Sequence, residues 1–181
     1  MNKILKLKII TLIILILQSS ITFAAVSGFV DSKQVTQRRP MGVAFNLDGT
    51  KMFVVGTVEN KIFEFDLTTG FDVSTATKNS NVCNFLGQAS DVVDIEFNSD
   101  GTKLFLVDQD QGDDDEHAVD EFSLSTAYDV STCTHVEEHY TDDFKLVGIE
   151  FNPGGTKLFI YDQTGTDSIK QYSLNSPYNL S

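Results

Sequence analysis

After residue 40 the hydrophobic positions fall in short runs rich in Val, Ile, Phe and Tyr, broken by polar turns, and no stretch carries a 3.6-residue apolar period. Three segments repeat the same pattern: Gly42-Val43-Ala44-Phe45-Asn46-Leu47-Asp48-Gly49-Thr50-Lys51-Met52-Phe53, Val93-Asp94-Ile95-Glu96-Phe97-Asn98-Ser99-Asp100-Gly101-Thr102-Lys103-Leu104-Phe105, and Gly148-Ile149-Glu150-Phe151-Asn152-Pro153-Gly154-Gly155-Thr156-Lys157-Leu158-Phe159. Asp48-Gly49, Asp100-Gly101 and Gly154-Gly155 supply the positive-φ residues that a tight hairpin demands, so the flanking strands pair antiparallel. A second piece follows each hairpin: Ile62-Phe63-Glu64-Phe65-Asp66-Leu67, Val119-Asp120-Glu121-Phe122-Ser123-Leu124, and Ile169-Lys170-Gln171-Tyr172-Ser173-Leu174. A third begins at Phe71-Asp72-Val73-Ser74-Thr75, Tyr128-Asp129-Val130-Ser131-Thr132 and Tyr178-Asn179-Leu180-Ser181.

One unit therefore predicts strand A over Gly42–Asn46, a hairpin, strand B over Lys51–Val55, strand C over Ile62–Leu67 and strand D near Thr75–Phe85. A four-stranded antiparallel unit at this period is the sequence form of a β-propeller blade. The expected fold class is all-β, with about three blades at 40–85, 92–140 and 146–181, the last incomplete, and a lone strand D at 26–32. Three blades cannot close a ring when propellers have about 4–8. The expectation is a piece of a longer propeller, or a ring completed by a second copy in a homo-oligomer, with strand 26–32 completing the last blade.

The run from Asn98 to Val107, followed by Val119 to Thr126, resembles the repeat of the YVTN/lactonase-like β-propeller family, whose S-P-D-G-x-x-L-Y-V hairpin precedes a V-x-x-I/Y-D-L/x-T strand. The resemblance covers residues 40–181 and implies the repeat architecture. It departs where the family has T-N after strand B, since this chain has Gly56-Thr57, Asp108-Gln109 and Asp162-Gln163. It carries over no catalytic residue.

The N-terminus changes the picture of where such a protein works. Lys3, Lys6 and Lys8 precede the apolar run Ile9–Leu17, and Thr22-Phe23-Ala24 offers small residues for cleavage. This reads as a signal peptide over 1–24, its apolar run short for a bilayer span, with the 25–181 domain exported to the periplasm or beyond and free of the membrane after cleavage; an uncleaved anchor is the alternative. The chain has 13 Lys+Arg against 26 Asp+Glu, a net charge of −13, and loss of three leader lysines takes it to −16. That field repels phosphate backbones and excludes a general nucleic-acid binder. Export also permits a disulfide between the only cysteines, Cys83 and Cys133, which do not occupy matching repeat positions; two separate buried thiols are the alternative.

Candidate chemistry gathers on the face formed by the B–C and D–A loops. Asp108 and Asp162 share one repeat position after strand B, where they read either as ligands for a cation or a sugar hydroxyl, or as caps of the following loop. The second B–C loop is longer and reads Asp108-Gln109-Asp110-Gln111-Gly112-Asp113-Asp114-Asp115-Glu116, either a solvated insertion or a Ca2+ site built on Asp108, Asp110, Asp113 and Asp114. Arg38-Arg39 is positioned to meet an anionic ligand or nearby acids. His135-Val136-Glu137-Glu138-His139 falls on strand D, where alternation puts His135, Glu137 and His139 on one face as a surface metal site or as a polar outer strand. The functional expectation is a binding or scaffolding module for a protein, carbohydrate or small molecule. The alternatives are a lactonase-like hydrolase or a Ca2+-stabilised adhesion module.

Overall fold

The computed structural model describes residues 30–109, 117–141, 145–163 and 166–181. Ser32–Ser181 form one unit, distinct from the N-terminal segment. Its strands are β1 (Pro40–Phe45), β2 (Lys51–Gly56), β3 (Lys61–Leu67), β4 (Ala76–Asn84), β5 (Val92–Phe97), β6 (Lys103–Asp108), β7 (His117–Leu124), β8 (Cys133–Thr141), β9 (Leu146–Phe151), β10 (Lys157–Asp162) and β11 (Ser168–Ser173). They form three antiparallel meanders, β1-β2-β3-β4, β5-β6-β7-β8 and β9-β10-β11. Two of the predicted four-strand units are complete. The third has three strands, and Val30 to Ser32, the described part of the expected strand 26–32, lie in no strand. Residues 26–29 and the predicted signal segment lie outside the described residues.

The central strands β2 and β6 of the first two sheets are apolar and buried on both faces. Phe53 and Val55 of β2 pack with Ile62 against Ile95, Phe97, Leu104, Leu106 and Phe122 of the second sheet. The intervening Phe105 and Val107 of β6 turn the other way with Val119, onto Ile149, Phe151, Leu158 and Ile160 of the third. Met52, Val54, Phe63 and Phe65 line the remaining face of the first sheet, with Val35 against them. Strand β5 lies against both β1 and β9, so the first strands of the three sheets are neighbours. Phe53 and Phe97, and Phe105 and Phe151, meet at 4.6 and 4.8 Å between ring centroids, the same contact made at each of the two junctions.

The repeated third piece has a single structural explanation. Phe71, Tyr128 and Tyr178 all take positive φ, and each ring covers the hairpin glycine of its own blade. A Cβ on Gly101 would lie 2.3 Å from the Tyr128 ring, and Gly101 itself sits at φ +72°. Only glycine meets both demands. The next residue, Asp72 or Asp129, then caps a one-turn 3-10 helix by accepting from the Ser74 or Ser131 N–H at 3.1 or 3.0 Å. Thus aromatic, Asp and Ser recur because they tie strand D back to the A–B hairpin.

Cys83 on β4 and Cys133 at the start of β8 form a disulfide, with Cα atoms 5.8 Å apart. Cys83 pairs across the sheet with Ile62, and Cys133 follows the 3-10 turn Val130–Thr132 that rests against β4. The bond joins the outer rims of the first two sheets.

Candidate functional site

The carboxylates expected on the B–C loop face are turned inward. Asp108 is buried, and its two oxygens accept the N–H groups of Ser90 and Asp91, each at 2.9 Å, closing the loop that leads into β5. Asp162 is also buried, with Lys170 Nζ at 3.2 Å. Asp108 thus caps the following loop, while Asp162 is held in a cross-strand ion pair. In the first blade the same position is Gly56 because a Cβ there would lie 2.3 Å from the Arg39 carbonyl oxygen. Arg38 and Arg39 are exposed, Arg39 at positive φ. Asp110, Asp113 and Asp114, the remainder of the expected Ca2+ loop, lie outside the described residues.

On β8 the expected common face of His135, Glu137 and His139 is broken. Glu121 pairs with Glu137 while the next residue, Phe122, pairs with His135, so Val136 is an extra residue in a β-bulge. A bulge reverses the alternation, and His135 points opposite to the other two. Its Nε2 lies 2.8 Å from Asp120 Oδ1, and its ring meets Phe122 edge-on. Burial drives the Asp120 carboxyl well above the usual carboxylate range, with the His135 ring opposing.

A set of acids that the strand pattern concealed lies on the first strands of the blades. Asp94 on β5 accepts from the Ile95 N–H at 2.9 Å and from the Ile149 N–H on β9 at 3.1 Å, stitching two blades together. Two residues on, Glu96 shares the face of Asp94, and Glu150 holds the same repeat position on β9 where the first blade has Ala44. Glu96 and Glu150 border a cleft of about 570 Å³ on the hairpin side, walled by Phe45, Phe97, Tyr128, Phe151 and Tyr178. Among the described residues, no basic side chain lines it. Burial, followed by the charges of Glu150 and Asp94, pushes the Glu96 carboxyl up to about 7. The recurrence of Glu one residue before the hairpin-proximal Phe in two units was the available sequence signal.

This shift has a consequence for stability. Between the ordinary glutamate value and about 7, folded Glu96 holds a proton that the unfolded chain has released, so its contribution to stability falls as pH rises through that window. Glu96→Gln should remove the contribution and make the variant more stable than the parent above pH 7, on the order of 1 kcal/mol after discounting for solvent at the cleft. Urea unfolding at pH 5 and pH 8 checks it; an unchanged pH slope in the variant refutes it.

No family model and no curated protein matches the chain. Among solved structures it is similar to a protein from Bacteroides uniformis described as a candidate 6-phosphogluconolactonase, at TM-score 0.56 and 17% identity over 78% of this chain and 38% of that one. It is similar to a functionally unknown protein from Desulfotomaculum acetoxidans at TM-score 0.54 and 19% identity, over 76% of this chain and 40% of that one. A luciferin-regenerating enzyme gives 0.53 and 14%, over 76% and 45%. The chain thus spans less than half the length of each of these structures. At such identities the likeness concerns architecture, and together with the three stacked meanders it establishes that the chain folds as blades of a β-propeller.

Proposed function

We propose that this chain is the blade-bearing part of an exported propeller that binds a partner through a cationic group. The observation that carries the proposal is the cleft between the hairpins: two carboxylates, no basic residue among the described residues of its lining, and aromatic walls that suit the alkyl part of an ammonium-bearing side chain. The net charge, −16 once the leader lysines are removed, would steer a basic partner toward it. The apolar leader and the disulfide both fit an oxidising compartment outside the cytoplasm. Further blades, from the same protein or from a second copy, would complete the ring.

A short peptide carrying one lysine beside phenylalanine is the probe. Calorimetric titration should show saturable binding, at least about tenfold weaker in Glu96→Gln/Glu150→Gln, a loss of 1.4 kcal/mol or more. Added salt should weaken it. At pH 6 binding should release protons, because a cation beside Glu96 favours its ionised form. Binding that ignores both substitutions would end this reading. The lactonase-like alternative draws on the same group, since a carboxyl titrating near neutral pH suits a general base. Hydrolysis of a simple γ-lactone that is lost in Glu96→Gln would favour it over binding alone.

A further inference from the structure

The two blade junctions can be compared position by position through their cross-strand registers. At the first, Cys83 lies opposite Ile62 of β3 and bonds to the following blade. At the second, the matching residue is His139, opposite Val119 of β7. Beside it lie Glu121, the repeat partner of Glu64, and Glu137, which is directly across from Glu121. The ligand atoms of Glu121, Glu137 and His139 all fall within 4.8 Å of one another.

We propose that these three residues form a binding site for a divalent transition-metal ion of the Zn2+ class. His139 Nε2 is 3.4 Å from Glu121 Oε2 and 3.5 Å from Glu137 Oε1. A tetrahedral ion with bonds of about 2.0–2.1 Å separates its ligands by roughly 3.3–3.4 Å, so both edges already have the spacing that such an ion needs. Those distances are long for hydrogen bonds, and Nε2 is buried with no hydrogen-bond partner. An imidazole nitrogen aimed between two carboxylates without bonding either is arranged as a ligand.

The surrounding groups hold the donors in place. Glu121 is 4% exposed, and its other oxygen, Oε1, takes Lys103 Nζ at 2.7 Å. Lys103 also donates to the Tyr178 carbonyl at 3.0 Å, which ties the site to the third blade. Ser181 Oγ donates to Glu137 Oε1 at 2.5 Å. The bulge at Val136 matters here, since it sends His135 away and leaves Glu137 and His139 on the face of Glu121. Glu137 is half exposed and His139 borders a cavity of about 420 Å³, so an ion has a path in and a fourth ligand position open to water. Nitrogen among the donors selects against Ca2+ and Mg2+, which take oxygen alone. The ion would brace β7 against β8 within the second blade, and the Lys103 and Ser181 hydrogen bonds connect that brace to the third.

Co2+ is the spectroscopic probe, followed by displacement with Zn2+. The full chain should bind one equivalent of Co2+ with the intense visible bands of four-coordination, and Zn2+ should bleach them while excess Ca2+ does not. Zn2+ should raise the melting temperature of the parent. His139→Ala and Glu137→Gln, both at partly exposed positions that leave the core intact, should each weaken binding at least about tenfold and abolish the thermal shift. Full-strength Co2+ binding in His139→Ala, or six-coordinate spectra in the parent, would overturn the assignment. So would loss of the bands on replacing Asp110, Asp113 and Asp114, which would place the ion elsewhere.

Discussion

Replacing Cys83 and Cys133 together by alanine should lower the free energy of unfolding by about 4 kcal/mol, the chain-entropy value for a closed loop of 50 residues. That is a large share of the roughly 5–15 kcal/mol that holds an ordinary domain. For a unit of this size it amounts to a fall in Tm on the order of 8–16 °C. The effect is large because the bond spans two blades: it closes a loop containing the whole of β5, β6 and β7 and fastens the rims of sheets that are otherwise joined there by the turn Val130–Thr132 against β4. Thermal unfolding of the parent, the reduced parent and the double variant provides the measurement. Equal melting of all three would show that the rim is already secured without the bond.

Glu64→Ala should cost about 3–4 kcal/mol, because it removes one half of a buried ion pair and uncaps the neighbouring blade. Glu64 is fully buried and bonds Lys51 Nζ. It also accepts from Asn79 Nδ2 at 2.8 Å, and its other oxygen accepts from the Val130 N–H of the next blade at 3.2 Å. Asn81 Nδ2 reaches both Glu64 and Asp129 Oδ1, the cap of that same turn. The alanine variant leaves Lys51 with exposed Asp66 alone and leaves the Val130 N–H without an acceptor. Glu64→Gln retains the shape and should recover more than half of the loss. Since Glu64 and Cys133 act on the same turn, the triple variant should lose less than the sum of the separate effects. Chemical denaturation of the series tests this; a loss below about 1 kcal/mol in Glu64→Ala would mean that the carboxylate fills space and clamps nothing.

Both effects arise at junctions, and the junctions were the least legible part of the sequence. The alternation Phe63-Glu64-Phe65 marks a strand but does not say what lies against the Glu64 face. The neighbouring blade covers that face, and Glu64 is retained there because Lys51, two asparagines and a backbone N–H satisfy it. Asp108 and Asp162 hold equivalent places at the ends of β6 and β10, but the repeat does not say that Asp108 closes the loop before β5 or that Asp162 pairs with Lys170. His135 and His139 were placed on one face by counting in twos, which a single inserted residue at Val136 defeats. Nothing in the local sequence marks that bulge.

What the amino-acid order determined by itself is the blade: the Asp-Gly and Gly-Gly hairpins, the strands on either side of them, and the turn of an aromatic residue, Asp or Asn, and Ser that docks on each hairpin glycine. These features are local, each residue finding its partner within about 30 positions, so their signals survive in the pattern of the chain. Only the tertiary structure decided that the two cysteines are bridged, which acids are paired in the interior, and which converge on the hairpin-side cleft. Those outcomes depend on the distance and parity between strands of different blades, and stacking sets both through packing that no single repeat contains.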